Sequence, residues 1–245
     1  QFSNVLKDIS EHLKGAMPDP YVIGLSSIFY LGKTEHIAEK YQKAKALGVN
    51  DVRTLIERGK QKFATDLKRE DVVVFETVLM KSLLNGYPTE QPVGKSALEV
   101  DLWVHYAATS KELSDKFSEI IYSFRHSADI HYSTFPIVSW SLMRANLFPE
   151  HAVLLVDIGS EITEVTFLVD GVIVEVMSLP FGVLNVLLRV AESEHVEVEN
   201  ALSLLTAYTG GSLSPDAEAR IRAIIKKEAK SWEEVFERDR QRASR

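Results

Sequence analysis

The segment that decides the fold is Val153-Leu154-Leu155-Val156-Asp157-Ile158-Gly159-Ser160-Glu161-Ile162-Thr163-Glu164-Val165-Thr166-Phe167. An apolar run of strand length ends in Asp157 and Gly159, and a second run rich in β-formers starts at Thr163. Such a strand end can present a carboxylate and open backbone to a phosphate or to Mg²⁺-bound water, since Mg²⁺ takes one or two carboxylates plus waters and phosphates. The alternative is a plain tight turn in which Asp157 bonds the local backbone.

The composition is that of an ordinary globular protein. The chain has 245 residues, of which 45% are hydrophobic and 26% charged, enough for one large domain or two small ones. The net charge of −7 argues against a nucleic-acid-binding surface. The absence of cysteine excludes disulfides, thiolate metal sites and a cysteine nucleophile.

The ends of the sequence suggest part of a longer protein. The chain starts at Gln1 rather than methionine, and its first residues do not have the pattern of a signal peptide. No apolar stretch approaches the roughly 20 residues that a membrane-spanning helix needs. We therefore expect further segments on both sides.

Hydrophobic periodicity predicts a mixture of helices and strands in the first 136 residues. Helices are expected at 2–14, at 34–63 with a break at 47–50, and from the N-cap Ser110 to residue 124. Strands are expected at 21–25, 71–84, 96–107 and 129–134, with a turn at Asn85-Gly86-Tyr87-Pro88.

The remaining residues predict three strands followed by helices. A helix at 137–147 leads to a boundary at 146–150, and strands follow at 152–157, 163–169 and 171–179. Asp170-Gly171 is a two-residue hairpin signal. Helices are expected at 181–191, at 196–209, and from residue 214 to near the end.

The order of these elements resembles that of the bacterial actin-like proteins of the FtsA/PilM family. The resemblance rests on Val156-Asp157-Ile158-Gly159 with Thr163, on Asp170-Gly171, and on Leu179-Pro180-Phe181-Gly182. In that family this order gives a phosphate hairpin, a third strand, and a glycine that starts the next helix. Asn85-Gly86-Tyr87-Pro88-Thr89 and Pro92-Val93-Gly94 are similar to SHS2, the insertion subdomain of FtsA.

The resemblance implies an α/β fold of the actin-like (ribonuclease H-like) class, a mixed sheet with helices and an inserted SHS2-like strand–helix–strand subdomain. It assigns residues 1–69 to part of the first actin-like subdomain and residues 70–136 to the insertion. Residues 137–245 would form a linker helix and the start of the second actin-like subdomain.

The resemblance also implies ATP with Mg²⁺ as the cofactor. Its cofactor-binding residues would be Asp157, Gly159, Ser160 and Thr163, with no catalytic residue and no protein metal ligand assigned. The family's first phosphate loop would precede Gln1, and its adenosine loop would follow the last helix. The expected activity is at most that of a weak ATPase.

The implied function is that of a cell-division scaffold of the FtsA type. It would link FtsZ filaments to the inner membrane and self-assemble into filaments in a nucleotide-dependent way. It would lie in the cytoplasm at the inner face of the cell membrane, contacting the membrane only through segments outside this chain. The alternative is a PilM-like role with pilus-assembly proteins as partners: Pro92-Val93-Gly94 favours FtsA, and the phosphate turn favours PilM.

The turn departs from the family pattern, which opens a second hypothesis. FtsA-like turns carry several glycines where this chain has Ser160, Glu161 and Ile162. A carboxylate about 4 Å from a phosphate charge is repelled by roughly 4 kcal/mol at an effective dielectric constant of 20, so Glu161 opposes nucleotide binding. This favours a pseudo-ATPase that uses its surfaces only for interaction. A sugar or acetate kinase is a third hypothesis, disfavoured by the small insertion and by the lack of a catalytic base.

Other motifs predict structure rather than chemistry. Gly32-Lys33-Thr34 matches the end of a P-loop, but Ser27 stands where the motif needs glycine, so Thr34 is interpreted as a helix N-cap. The seven histidines lack the spacing of a helical zinc site, although His105 and His131 are placed on neighbouring strands. The amphipathic segment 217–232 is interpreted as a core-packing helix rather than a membrane helix.

Overall fold

The computed structural model describes residues 2–13, 19–144 and 152–243. They fall into two compact units. Unit 1 comprises residues 1–155 and 166–176, and unit 2 comprises residues 156–165 and 177–245. Among the described residues, no helix is long and apolar enough to cross a bilayer.

The described residues up to Arg144 form four α-helices and six strands. The helices are α1 (Phe2–His12), α2 (Val49–Asp66), α3 (Lys111–Phe124) and α4 (Phe135–Arg144). The strands are β1 (Tyr21–Leu25), β2 (Leu31–Ala46), β3 (Val72–Leu84), β4 (Tyr87–Pro88), β5 (Ser96–Ser110) and β6 (Ile130–Thr134). A short 3-10 turn, Ser27–Phe29, joins β1 to β2.

Two sheets organise this part of unit 1. Strands β1 and β6 form a parallel pair, and a four-stranded antiparallel sheet has the order β2-β5-β3-β4. The central strand β5 is buried on both faces: Leu102, Val104 and Tyr106 pack in the core under α2, and Ala107 belongs to a second core with Leu25 and Tyr30. The apolar core beneath α2 includes Phe63, Leu102, Val104 and Tyr106, each 1% exposed or less.

The helix predicted over the first half of 34–63 is wrong, because residues 31–46 form strand β2. The segment is rich in alanine, glutamate and lysine, which favour helix. Antiparallel pairing along β5 overrides this preference, and it buries Glu35 and Ile37 on the same face of the strand. Thr34 is consequently a strand residue that bonds His105 Nδ1 at 3.1 Å rather than a helix cap.

Glu35 shows how β2 tolerates a charge on its inner face. Its carboxylate is 3% exposed and forms ion pairs with Lys33, at 2.6 Å, and with Lys62 of α2. Burial raises the pKa of Glu35, but the hydrogen bonds from the two lysines outweigh burial and leave this pKa below its ordinary value. The ion pair between Lys62 and Glu35 joins α2 to β2, the edge strand of the sheet.

The elements after residue 152 are three strands and three helices. The strands β7 (Val153–Ile158), β8 (Thr163–Val169) and β9 (Val172–Leu179) form a sheet in that order. Helices α5 (Val183–Glu194), α6 (Val198–Thr209) and α7 (Pro215–Ala243) follow. The three helices share an apolar core that includes Val190, Ala201 and Ile221.

Most other sequence predictions are confirmed, with ends shifted by a few residues. Ser110 caps α3 by accepting a hydrogen bond from the Leu113 amide at 3.2 Å. The β8–β9 turn is at Asp170-Gly171, where both residues have positive φ. The core-packing interpretation of 217–232 is also confirmed, since Ile221, Ile224 and Ile225 lie in the helical core.

Three expectations on organisation have different outcomes. His105 and His131 are not on neighbouring strands, because β5 and β6 belong to different sheets. The boundary expected at 146–150 lies outside the described residues. The three-part division at residues 69 and 136 stays a prediction, as does the SHS2 assignment, although the pairing of β2 with β5 crosses residue 69.

Candidate functional site

The candidate phosphate turn joins β7 to β8 within unit 2. Its backbone closes through the amide of Gly159, which donates to the carbonyl oxygen of Ile162 at 2.9 Å. Asp157 is half-buried at the end of β7, Ser160 and Glu161 are exposed at the tip, and Thr163 is fully buried at the start of β8. The four predicted site residues are therefore together in one turn, but with very different exposure.

The first turn of α5 packs directly on this turn. The amide of Val183 donates to Gly159 O at 2.9 Å, and the amide of Leu184 donates to Ser160 O at 2.8 Å. The N-terminal amides of a helix normally lack intrahelical partners, which makes them an anion site. Here the carbonyl oxygens of the turn occupy two of them.

Gly182 permits this close packing. A Cβ atom added at Gly182 would lie 2.3 Å from Ser160 O and 2.6 Å from Gly159 O, far inside van der Waals contact. Its backbone is extended, with φ −151°, so the requirement for glycine is one of space rather than of φ. The Gly182 amide is also satisfied, by Asn185 Oδ1 at 2.8 Å.

The Thr163 hydroxyl group is used twice within the protein. It donates to Phe181 O at 2.8 Å and accepts from the indole Nε1–H of Trp232 on α7 at 3.1 Å. The Trp232 ring stacks on Phe236 one turn further along α7, with ring centroids 5.5 Å apart. Sequence reasoning missed Trp232, because it lies 69 positions from Thr163 and no spacing rule links them.

These contacts test whether the turn fits a Mg²⁺-nucleotide. The amides of Gly159, Val183 and Leu184 and the Thr163 hydroxyl group are donors at or beside this turn, and each already has a protein acceptor. Glu161 adds a negative charge at the tip, and no group of three or more potential metal ligands occurs in the described part of the chain. Asp157 and Ser160 alone do not make a triphosphate site, so the residues present do not fit the implied cofactor.

A second candidate site is a groove in unit 1, of about 470 Å³, which we call the 27–31 groove. One wall is the 3-10 turn and the start of β2, where Ile28 (59% exposed), Phe29 (47%) and Leu31 (48%) present apolar side chains to solvent. The other wall is formed by the end of β5 and the start of α3, and the lining includes Arg69, Glu112 and Lys116.

Two details show that the 27–31 groove is a shaped surface. Thr109 Oγ1 donates to Phe29 O at 2.6 Å, which fixes the 3-10 turn against β5. The Ser27 hydroxyl oxygen is buried and lacks a hydrogen-bond partner among the described residues. Because this oxygen is closed to solvent, it is not a contact point for a bound segment. The groove offers apolar side chains and charges of both signs.

Comparison with known proteins identifies the fold. The chain is similar to a chain of the solved PilM–PilN type IV pilus biogenesis complex, with a TM-score of 0.61 and 14% identity, covering 97% of this chain and 62% of that one. A Bacteroides thetaiotaomicron protein with an actin-like ATPase fold and unknown function matches with a TM-score of 0.34 and 10% identity, covering 80% of this chain and 64% of that one. No protein-family profile matches, and no curated protein does. The match to the pilus biogenesis complex, at 14% identity, shows a shared fold and leaves function to the site.

Proposed function

We propose that the chain has the PilM-like role rather than the FtsA-like role. It would be an actin-fold scaffold that binds a protein partner in an assembly machine of the type IV pilus kind. The observation that carries the proposal is the 27–31 groove, because it exposes large apolar side chains on a shaped surface. The fold shared with the PilM chain supports the class of machine, since that chain occurs in a complex with PilN.

The chemistry of the groove favours an extended protein segment as its occupant. Exposed Phe29, Ile28 and Leu31 supply the apolar contacts that anchor protein interfaces. The charged lining residues are paired, Lys116 with Glu112 at 2.5 Å and Arg69 with Asp71 at 3.4 Å, so the apolar side chains carry the recognition. We propose a PilN-type protein as the partner, bound through a segment with apolar side chains that pack on Ile28, Phe29 and Leu31.

The test is direct binding between the purified chain and the PilN-type protein of the same organism, measured by titration calorimetry. Phe29→Asp places a charge against the occupant and is expected to weaken binding at least tenfold, which corresponds to about 1.4 kcal/mol. The matched control is Leu142→Asp on α4, since Leu142 is 70% exposed and lies outside the groove. The control is expected to bind as the wild type does.

FtsZ provides the contrasting experiment. Sedimentation of the chain with FtsZ filaments of the same organism is the result that the cell-division role requires. We expect the chain to remain in the supernatant when the FtsZ filaments are pelleted, and to bind the PilN-type protein. Co-sedimentation with FtsZ, or absence of PilN-type binding, would contradict the proposal.

The remaining implications of the resemblance belong to the same proposal. Self-association into filaments, a location at the cytoplasmic face of the inner membrane, and the subdomain division at residues 69 and 136 are carried over as parts of it. Light scattering of the purified chain over a concentration series tests self-association. Because the chain covers 62% of the PilM chain, these properties concern the whole protein rather than this part alone.

A further inference from the structure

We infer that the protein's own hydrogen bonds close the turn at 157–163, so that it takes no phosphate: the first turn of α5 donates to the turn carbonyls, and Trp232 on α7 donates to Thr163. The inference concerns unit 2 alone and stands whether or not the 27–31 groove binds a partner. Trp232 acts as a positioning residue: it bonds Thr163, and Thr163 in turn holds Phe181 just before α5.

The contacts form one continuous chain. The indole N–H of Trp232 donates to the Thr163 hydroxyl, and that hydroxyl group donates to Phe181 O. Phe181 is followed by Gly182, whose lack of a side chain brings the amides of Val183 and Leu184 onto the turn carbonyls. Helix α7 therefore fixes the orientation of Thr163, and Thr163 fixes the entry to α5.

The surroundings of Trp232 are unsuited to an anion. Trp232 lines a groove of about 520 Å³ between the turn and helices α5, α6 and α7, and none of the described residues that line it is charged. Its lining is mainly apolar and includes Ile158, Val186, Leu205 and Ile225. A triphosphate placed here would lose water without gaining a cation, which is unfavourable. The indole ring instead forms part of this apolar surface, and its N–H group donates a hydrogen bond to Thr163.

The first experiment is hydrogen exchange on the full chain with Trp232→Phe, which keeps an aromatic ring and removes only the N–H donor. Losing one hydrogen bond is expected to speed exchange at the Val183 and Leu184 amides by roughly five- to tenfold. The matched control is Trp140→Phe in unit 1, because the Trp140 indole also donates to a backbone oxygen, Gly171 O at 2.8 Å. The control is expected to leave both amides unchanged.

Two results would overturn the inference. One is unchanged exchange at Val183 and Leu184 in Trp232→Phe, and the other is an equal increase in Trp140→Phe, which would indicate general destabilisation. If Trp232→Phe fails to fold, Thr163→Val removes the hydroxyl group that accepts this bond, with nearly the same side-chain volume, and Thr163→Ser restores it. Faster exchange in Thr163→Val with recovery in Thr163→Ser supports the inference, and equal behaviour of the two contradicts it.

The second experiment measures the melting temperature of the wild-type chain with MgATP and with Mg²⁺ plus pyrophosphate. A ligand at 100 times its Kd would raise the melting temperature, because binding to the folded state alone stabilises that state. We expect no rise with either compound. A rise with both would place a phosphate at the turn and overturn the inference, and a rise with MgATP alone would overturn it through binding of the whole nucleotide.

Discussion

Gly59 of α2 lies directly against the hydroxyl group of Tyr106 on β5. A Cβ atom added at Gly59 would stand 2.4 Å from the Tyr106 hydroxyl oxygen and 2.6 Å from Cδ1 of Ile37. The same hydroxyl group donates to Ile56 O at 2.7 Å, so it cannot move away without losing a bond. The glycine therefore sets how closely α2 approaches the antiparallel sheet.

Gly59→Ala is expected to destabilise the protein, although alanine favours helix by about 1 kcal/mol over glycine. Overpacking a core in this way typically costs about 1–3 kcal/mol and here outweighs the gain in propensity. Urea unfolding measures the change in the free energy of unfolding. Adding Ile37→Val to Gly59→Ala removes Cδ1 and is expected to recover part of the loss, and a stabilised single variant would contradict the packing argument.

His105 on β5 is predicted to make the protein sensitive to acid. It is fully buried, and burial lowers its pKa from 6.5 to about 4. The unfolded chain thus binds a proton at a higher pH than the folded chain, so stability falls as the pH drops from 6.5 towards 4. This difference in pKa corresponds to about 3 kcal/mol.

Unfolding titrations at several pH values check this prediction. His105→Gln can still bond Thr34 but does not titrate, so its stability is expected to depend less on pH between 7 and 4 (about 3 kcal/mol less). His126→Gln is the matched control, because His126 is exposed. Equal pH dependence of the wild type and His105→Gln would show the prediction to be wrong.

Glu76 joins β3 to β6. Its carboxylate accepts hydrogen bonds from Ser133 Oγ at 2.7 Å, from Thr134 Oγ1 at 2.7 Å and from the Thr134 amide at 3.4 Å. Glu76→Ala leaves buried donors without an acceptor and is expected to cost about 1–3 kcal/mol. Glu76→Gln keeps an acceptor oxygen and is expected to cost less, as measured by thermal unfolding.

The pH dependence of Glu76 has the opposite sign to that of His105. Burial raises the pKa of Glu76 more than its hydrogen bonds lower it. The folded state therefore favours the protonated form, and this contribution to stability is lost as the pH rises from the ordinary value of 4.5 through the raised pKa. Glu76→Gln removes that dependence, whereas the same change at exposed Glu70 is expected to leave it intact.

Gly182→Ala tests the packing of the candidate turn. The added Cβ meets Ser160 O at 2.3 Å, so α5 must move away from the turn, at an expected cost of about 1–3 kcal/mol. Gly24→Ala on β1 is the matched control, because nothing lies within 4 Å of a Cβ there. Urea unfolding is expected to show a large change for Gly182→Ala and less than about 0.5 kcal/mol for Gly24→Ala. Similar values for the two would refute close contact at the turn.

Local patterns were sufficient for most elements. Alternation of apolar and polar residues identified β5, the Asp170-Gly171 pair identified the β8–β9 hairpin, and Ser110 identified the start of α3. Each of these signals comes from neighbours within a few positions and acts in the same direction as the tertiary contacts. The one large error, at residues 31–46, arose where composition favoured helix and pairing with β5 favoured strand.

The sequence by itself determined where the candidate turn is and which four residues compose it, because a strand end followed by Asp-x-Gly is a local pattern. Only the tertiary structure decided what that turn contacts. Trp232 on α7 donates to Thr163, and the amides that follow Gly182 at the start of α5 donate to the carbonyl oxygens of the turn. Hydrogen-bond partners that are distant in the chain leave no spacing in the sequence, so the change from a binding turn to a closed one became visible only in three dimensions.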